Sequence, residues 1–104
     1  MKKIVVGGSG DVGSAVAHAL FEAGNAVFIH DSAQPTATRR KMAFCDAIFD
    51  GHAMLTGVSA QLVVSVSEIA ALLASHDLIP ITTLDLESLL TAIGPGILVD
   101  ARMR

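Results

Sequence analysis

The chain has 104 residues, a single cysteine and a formal net charge of −3, with 52% hydrophobic and 16% charged residues. That length suits one domain, residues 1–104, which buries roughly two-thirds of its unfolded surface on folding. The charge leaves no basic footprint for nucleic acid, and Cys45 alone excludes an internal disulfide or a cysteine-based zinc site. No apolar run approaches the ~18 residues of a membrane span. His18, His30, His52 and His76 are widely spaced, which argues against a metal site. The apolar run after Lys2-Lys3 is too short for a signal peptide, so the expected location is the cytoplasm.

"KIVVG" (3–7) is short, β-branched and stopped by glycine, which predicts a buried strand. A helix follows, with Val12, Ala15, Val16, Ala19, Leu20 and Ala23 on its apolar face and Ser14, His18 and Glu22 opposite. It stops at Gly24-Asn25. "AVFIHD" (26–31) predicts a second strand ending in an acid, and "SAQP" a polar loop. Residues 36–51 predict a helix with Phe44, Cys45, Ile48 and Phe49 on one face and Gly51 as its end.

"AMLTGVSAQLVVSV" (53–66) predicts a small hairpin turning at Thr56-Gly57, whose second arm alternates at Val58, Ala60, Leu62 and Val64. Ser65 and Glu68 have capping-box spacing ahead of a helix that runs to about His76. "LIPITT" (78–83) predicts a short strand, and Pro80 argues against a central place for it. Asp85 caps a further helix with Leu86, Leu89, Leu90 and Ile93 in register, and Leu84 stands where it would staple to Leu89. Gly94-Pro95-Gly96 ends it, and "ILVD" (97–100) predicts a last buried strand. Strand–helix alternation with short connections predicts an α/β fold, a Rossmann-like doubly wound parallel sheet. Its five main strands are expected in the order 3-2-1-4-5, with the small hairpin before the third.

Gly8, Gly10 and Gly13 form G-x-G-x-x-G between the first strand and the first helix. The first glycine permits the tight turn, the second a close approach to a pyrophosphate, and the third close packing of helix on strand. Backbone N–H groups of the first helical turn attract phosphate. The candidate cofactor-binding residues are therefore Gly8, Ser9, Gly10, Asp11, Val12 and Gly13. The alternative is that the glycines serve a tight β–α turn alone. Asp31, at the end of the second strand, is placed to accept ribose hydroxyls, which favours NAD over NADP. Its alternative is a residue that caps its own loop. Arg39 and Arg40 would reach a 2′-phosphate, or instead be solvated or paired with Asp46 or Asp50. Asp11 stabilises an empty helix N-terminus and competes with phosphate if it turns inward. His30 and Asp100 fall near the same strand ends, as ligand contacts or as packing and turn residues.

No Ser/His/Asp arrangement or G-x-S-x-G elbow is present, so no catalytic residue is assigned. Cys45 falls on an apolar helix face, which suits a buried structural thiol.

"AQPTATRRKMAF", followed by "AIFDG", resembles a block of the YqeB-type accessory proteins of the selenium-dependent molybdenum hydroxylase system. "GSGDVGSAVAHAL" and "GILVDARMR" are similar to further stretches of that family. The resemblance runs from about residue 3 to the end of the chain and implies the N-terminal Rossmann-like part of such a protein. It implies an accessory role in maturing a molybdenum enzyme, related in kind to that of XdhC-type accessory proteins. The expected ligand is NAD or NADP; a dinucleotide form of molybdopterin presents the same diphosphate and is the alternative. Expected partners are that dinucleotide, a molybdenum hydroxylase or its maturation machinery, and a second copy in a homodimer, with neither nucleic acid nor membrane. Two other readings stand beside this one: the cofactor domain of an NAD-dependent oxidoreductase, and a regulatory nucleotide-sensing domain.

Overall fold

The computed structural model describes residues 2–32, 44 and 46–101. Its elements follow in the order β1 (Lys3–Gly7), α1 (Asp11–Glu22), β2 (Ala26–His30), α2 (Asp46–Asp50), β3 (His52–Leu55), β4 (Val58–Leu62), α3 (Val66–Ser75), β5 (Ile79–Thr82), α4 (Leu86–Ile93) and β6 (Ile97–Asp100). The six strands form one sheet in the order β3-β4-β5-β2-β1-β6. Only β3 and β4 are antiparallel; every other neighbouring pair is parallel. The fold is thus α/β with a mostly parallel sheet.

Alternate side chains of the central strands feed two cores, because successive residues of a strand face opposite ways. Ile4, Val6, Val27, Ile29, Ile79 and Ile81 pack with Ala17 of α1, with Phe44 and with Ala47 of α2. Val5, Ala26 and Phe28 pack on the other face with Ile69 and Leu73 of α3 and Leu89 and Ile93 of α4. Strands covered on both faces read as continuous apolar runs, which explains the lean charge of the sequence.

The strand order departs from the predicted 3-2-1-4-5. Counted over the same five strands it runs 3-4-2-1-5, because Ile79–Thr82 lies between β4 and β2. All four β5 residues are buried, whereas the hairpin alternates between buried and exposed positions. The wholly buried strand therefore takes the interior and the half-exposed hairpin takes the edge. Pro80 is tolerated there for a local reason. The Ile81 carbonyl accepts from Val63 on the β4 side and the Thr82 carbonyl from Asp31 on the β2 side. Pro80, in phase with Thr82, faces β2, and the β2–β5 register begins only at Ile81.

Other boundaries also shift. The apolar face predicted for α1 is displaced: Gly13, Ser14 and Ala17 are its buried residues, while Val12 is 52% exposed and Ala15 and Ala19 face outward. Of the helix predicted over 36–51, α2 with Phe44 before it is described; Cys45 and residues 36–43 lie outside the described residues. Ser65 occupies the N-cap position of α3 without capping it, since its hydroxyl pairs with that of Ser67. The alternation predicted for the second hairpin arm holds to Leu62. Beyond the end of β4, Val63 turns into the second core and Val64 is exposed. Asp85 caps α4 as expected, its Oδ2 accepting from the Ser88 N–H at 3.0 Å. Leu84 and Leu89 share one core.

The hairpin turn is formed by Thr56 and Gly57, both with positive φ (47° and 81°), the geometry of a type I′ turn. Thr56 is β-branched and exposed in a conformation that disfavours it. Thr56→Asn is expected to raise stability by about 1 kcal/mol in urea denaturation. An unchanged or lower midpoint would contradict local strain at this turn.

β6 is the terminal strand of the sheet and carries Ile97 and Leu98, both exposed. The expectation of a buried strand there is not met among the described residues, because only β1 flanks it and, of its four residues, Val99 alone packs against a core. Among the described residues, no helix is long and apolar enough to cross a membrane.

Candidate functional site

β1 lies between β2 and β6, and its C-terminal Gly7 is in register with His30 on one side and Asp100 on the other. The glycine loop therefore leaves the sheet from an interior strand, at the carboxyl edge. In open α/β sheets, ligands lie along that edge. The Gly8 N–H donates to the His30 carbonyl at 2.8 Å, and the Ala101 N–H donates to the Gly7 carbonyl at 2.8 Å. Gly8 then turns with φ 115°, a conformation closed to other residues without strain. Gly10 holds the N-cap position of α1, and its carbonyl accepts the Ser14 N–H at 2.8 Å.

Gly13 is required by contact rather than by dihedral angle. A Cβ there would lie 2.1 Å from the Gly8 carbonyl oxygen and 2.8 Å from its carbon. The first turn of α1 thus rests directly on the loop backbone, the packing role predicted for a third glycine.

Asp31 binds the loop. Its Oδ2 accepts from the Ser9 N–H at 2.8 Å and from the Ser9 hydroxyl at 2.6 Å, and its Oδ1 accepts from the Ser32 N–H at 2.8 Å. The Ser32 contact is the self-capping alternative considered for this acid. The Ser9 contacts were not foreseen, and they aim the Ser9 side chain inward, where it is fully buried. A carboxylate has about four acceptor positions, and the contacts described use three, so one ribose hydroxyl remains within its capacity.

Ser14 is the residue that sequence reasoning missed. It was assigned to the outer face of α1 with His18 and Glu22, yet it is fully buried. Its hydroxyl donates to the Ser9 carbonyl at 3.0 Å and accepts the Phe44 N–H at 2.7 Å. A signal was present: if Gly13 must face the strand, its helical neighbours Ser14 and Ala17 turn toward the same side. Glu22 does lie outward, whereas His18 is largely buried, its Nε2 3.5 Å from Glu22 Oε1 and 3.2 Å from the Thr56 carbonyl.

The structure therefore brings Gly8, Ser9, Gly10, Asp11, Val12, Gly13 and Asp31 to one edge. Asp11 is exposed in the first turn of α1, where a negative charge favours the helix. Arg39 and Arg40, with Gln34, Pro35 and Thr36, lie outside the described residues. His30 is tied into the fold: its Nε2 donates to the Leu84 carbonyl at 2.8 Å, leaving Nδ1 buried without a hydrogen-bond partner among the described residues. Asp100 is exposed at the end of β6, beside Gly7. A shallow depression of about 400 Å³ beside α4, lined by Asp85, Glu87, Ser88, Thr91 and Ala92, shares no residue with the loop. Among the described residues, no group of three His, Cys, Asp or Glu side chains is placed to hold a metal ion.

No family model matches the chain, and no solved structure does. Among curated proteins it is similar to the uncharacterized protein YqeB of Escherichia coli (strain K12), with 38% identity over 98 residues. The match covers 94% of this chain and 18% of YqeB, so the chain spans less than a fifth of the length of the curated relative it matches.

Proposed function

We propose that this chain is a dinucleotide-binding module of Rossmann type, taking NAD in preference to NADP. The observation that carries the reading is the topology around β1. With the hairpin set aside, the strands run β5-β2-β1-β6, the order 3-2-1 of a mononucleotide-binding half followed by the first strand across the switch point. The chain leaves β1 toward β2, and later crosses back from β5 to β6 on the other side of β1. The reversal falls between β1 and β6, and the glycine loop opens onto it. A diphosphate there meets the Gly10 N–H and the positive end of α1, since the Gly8 and Ser9 N–H groups are taken by His30 and Asp31. Asp31, on the β2 side, supports a ribose rather than a 2′-phosphate.

The biological setting is an accessory role in maturing molybdenum hydroxylases. Its support is the "AQPTATRR" block and the similarity to YqeB; the activity of a whole protein of that kind belongs to the same proposal. The module binds and has no catalytic residues of its own. A dinucleotide form of molybdopterin offers the same diphosphate, and co-purifying pterin fluorescence under molybdenum-replete expression would favour it over NAD. The exposed apolar strand β6 favours a second reading, the cofactor domain of an oxidoreductase docked on further protein.

Calorimetric titration with NAD and NADP tests the ligand. NAD is expected to bind more tightly than NADP, and Asp31→Ala to abolish the heat of NAD binding. No heat from either cofactor at millimolar concentration would remove nicotinamide dinucleotides from this reading, and tighter binding of NADP would take Asp31 away from the ribose.

A further inference from the structure

We infer that Ser14 is a positioning residue that couples occupancy of the glycine loop to the start of α2; the inference rests on the dinucleotide reading above. Four residues form an unbroken chain of hydrogen bonds: Asp31 accepts from Ser9, the Ser9 carbonyl accepts from the Ser14 hydroxyl, and Ser14 accepts from the Phe44 N–H. They tie together the end of β2, the loop, α1 and Phe44, two residues before α2. Ser9, Ser14 and Phe44 are all fully buried, so water does not substitute in the two links that join them, and Asp31 at the open end of the chain is half-buried. Phe44 is itself an anchor. Its ring sits in the first core, and its carbonyl accepts the Ala47 N–H at 2.9 Å.

The direction of coupling follows from the planarity of one peptide. The Ser9 carbonyl that receives the Ser14 proton belongs to the same peptide unit as the Gly10 N–H, and a trans peptide points these groups in opposite directions. A ligand oxygen that accepts from the Gly10 N–H polarises that unit and makes the Ser9 carbonyl a better acceptor. The Ser14 hydroxyl, drawn toward it, becomes a better acceptor for the Phe44 N–H. Hydrogen bonds in such a chain strengthen one another in a low-dielectric interior. Loop occupancy is therefore felt at Phe44, and by reciprocity an ordered Phe44 favours occupancy.

Amide NMR and hydrogen exchange with NAD as the probe test this. In the native chain, NAD is expected to shift the Gly10 and Phe44 amide signals and to slow exchange at Phe44. In Ser14→Ala, NAD still shifts Gly10, the Phe44 response disappears, and affinity falls roughly tenfold, the loss of one buried hydrogen-bonded link. Ser14→Cys keeps the shape of the side chain, slightly enlarged, with a weak donor and acceptor, and should show the same uncoupling if the alanine variant does not fold. A purely structural serine would change stability without altering how Phe44 answers to NAD. A shift at Gly10 with no response at Phe44 in the native chain would overturn the coupling alone, as would an undiminished Phe44 response in both variants. No shift at Gly10 in the native chain would overturn the dinucleotide reading and this inference with it.

Discussion

Gly13→Ala is expected to destabilise the chain by about 3 kcal/mol or more, at the upper end for overpacking a core. The added Cβ would stand 2.1 Å from the Gly8 carbonyl oxygen, a distance no van der Waals contact allows. Neither side has a flexible end that can move away. The obstacle is backbone at the turn out of β1, and that backbone is fixed by the Gly8 N–H on His30 and by Ala101 on Gly7. Relief requires α1 to lift from the sheet, which opens the packing of Ala17, Val16 and Leu20 in the first core. Urea denaturation measures the loss directly, and NAD binding should fail with it, since the helix start is displaced from the loop. Gly24→Ala provides a contrast. A Cβ at Gly24 meets nothing within 4 Å, so only its positive φ of 95° resists substitution. A Gly13→Ala variant within about 0.5 kcal/mol of the native chain would contradict close packing of helix on loop.

Asp31→Ala carries the second large effect, roughly 3 kcal/mol, because hydrogen bonds to an ionised acceptor are worth about 1.5–3 kcal/mol and this carboxylate receives three. The Ser9 N–H loses its partner beside a side chain that is wholly buried. Ser9→Ala removes only the hydroxyl and is expected to cost about 1–1.5 kcal/mol. The double variant should be less damaging than the sum of the two by roughly 1 kcal/mol, the interaction energy of groups in direct contact. Strict additivity in denaturation would mean that the 2.6 Å contact contributes nothing to the loop. The effect of Asp31 on stability also sharpens the binding experiment. Loss of NAD binding in Asp31→Ala combines a missing ribose acceptor with a loosened loop, and Ser9→Ala, which leaves the carboxylate in place, separates the two contributions.

Much of the chain could be read from local chemistry. The apolar run at 3–7, the glycines after it and the Leu-rich register at 86–93 each announce an element by pattern, and the observed strands and helices fall where those patterns lie. The Thr56-Gly57 turn and the Asp85 cap were legible for the same reason: a residue type required by a dihedral angle or by an orphan N–H is visible in one sequence. Ser14 was not. Its polarity placed it outward by pattern, and only contact with Ser9 and Phe44, residues 5 and 30 positions away, makes burial of its hydroxyl favourable. The hydrogen bonds of Asp31 to Ser9, 22 residues away, were hidden for the same reason.

The sequence by itself determined the alternation of strand and helix, the presence of a glycine loop at the end of the first strand, and the acid that follows the second. These depend on periodicity and on residues near in the chain. Tertiary structure alone decided where Ile79–Thr82 sits, because strand order is a competition among segments for the two covered faces of the sheet. β5 is buried at every position and takes the interior, and the half-exposed hairpin is left at the edge. It also decided that the serine beside the third glycine faces inward, since that depends on how closely α1 approaches the turn out of β1. The backbone contact at Gly13 and the Ser14 bonds to Ser9 and Phe44 are that approach in physical form.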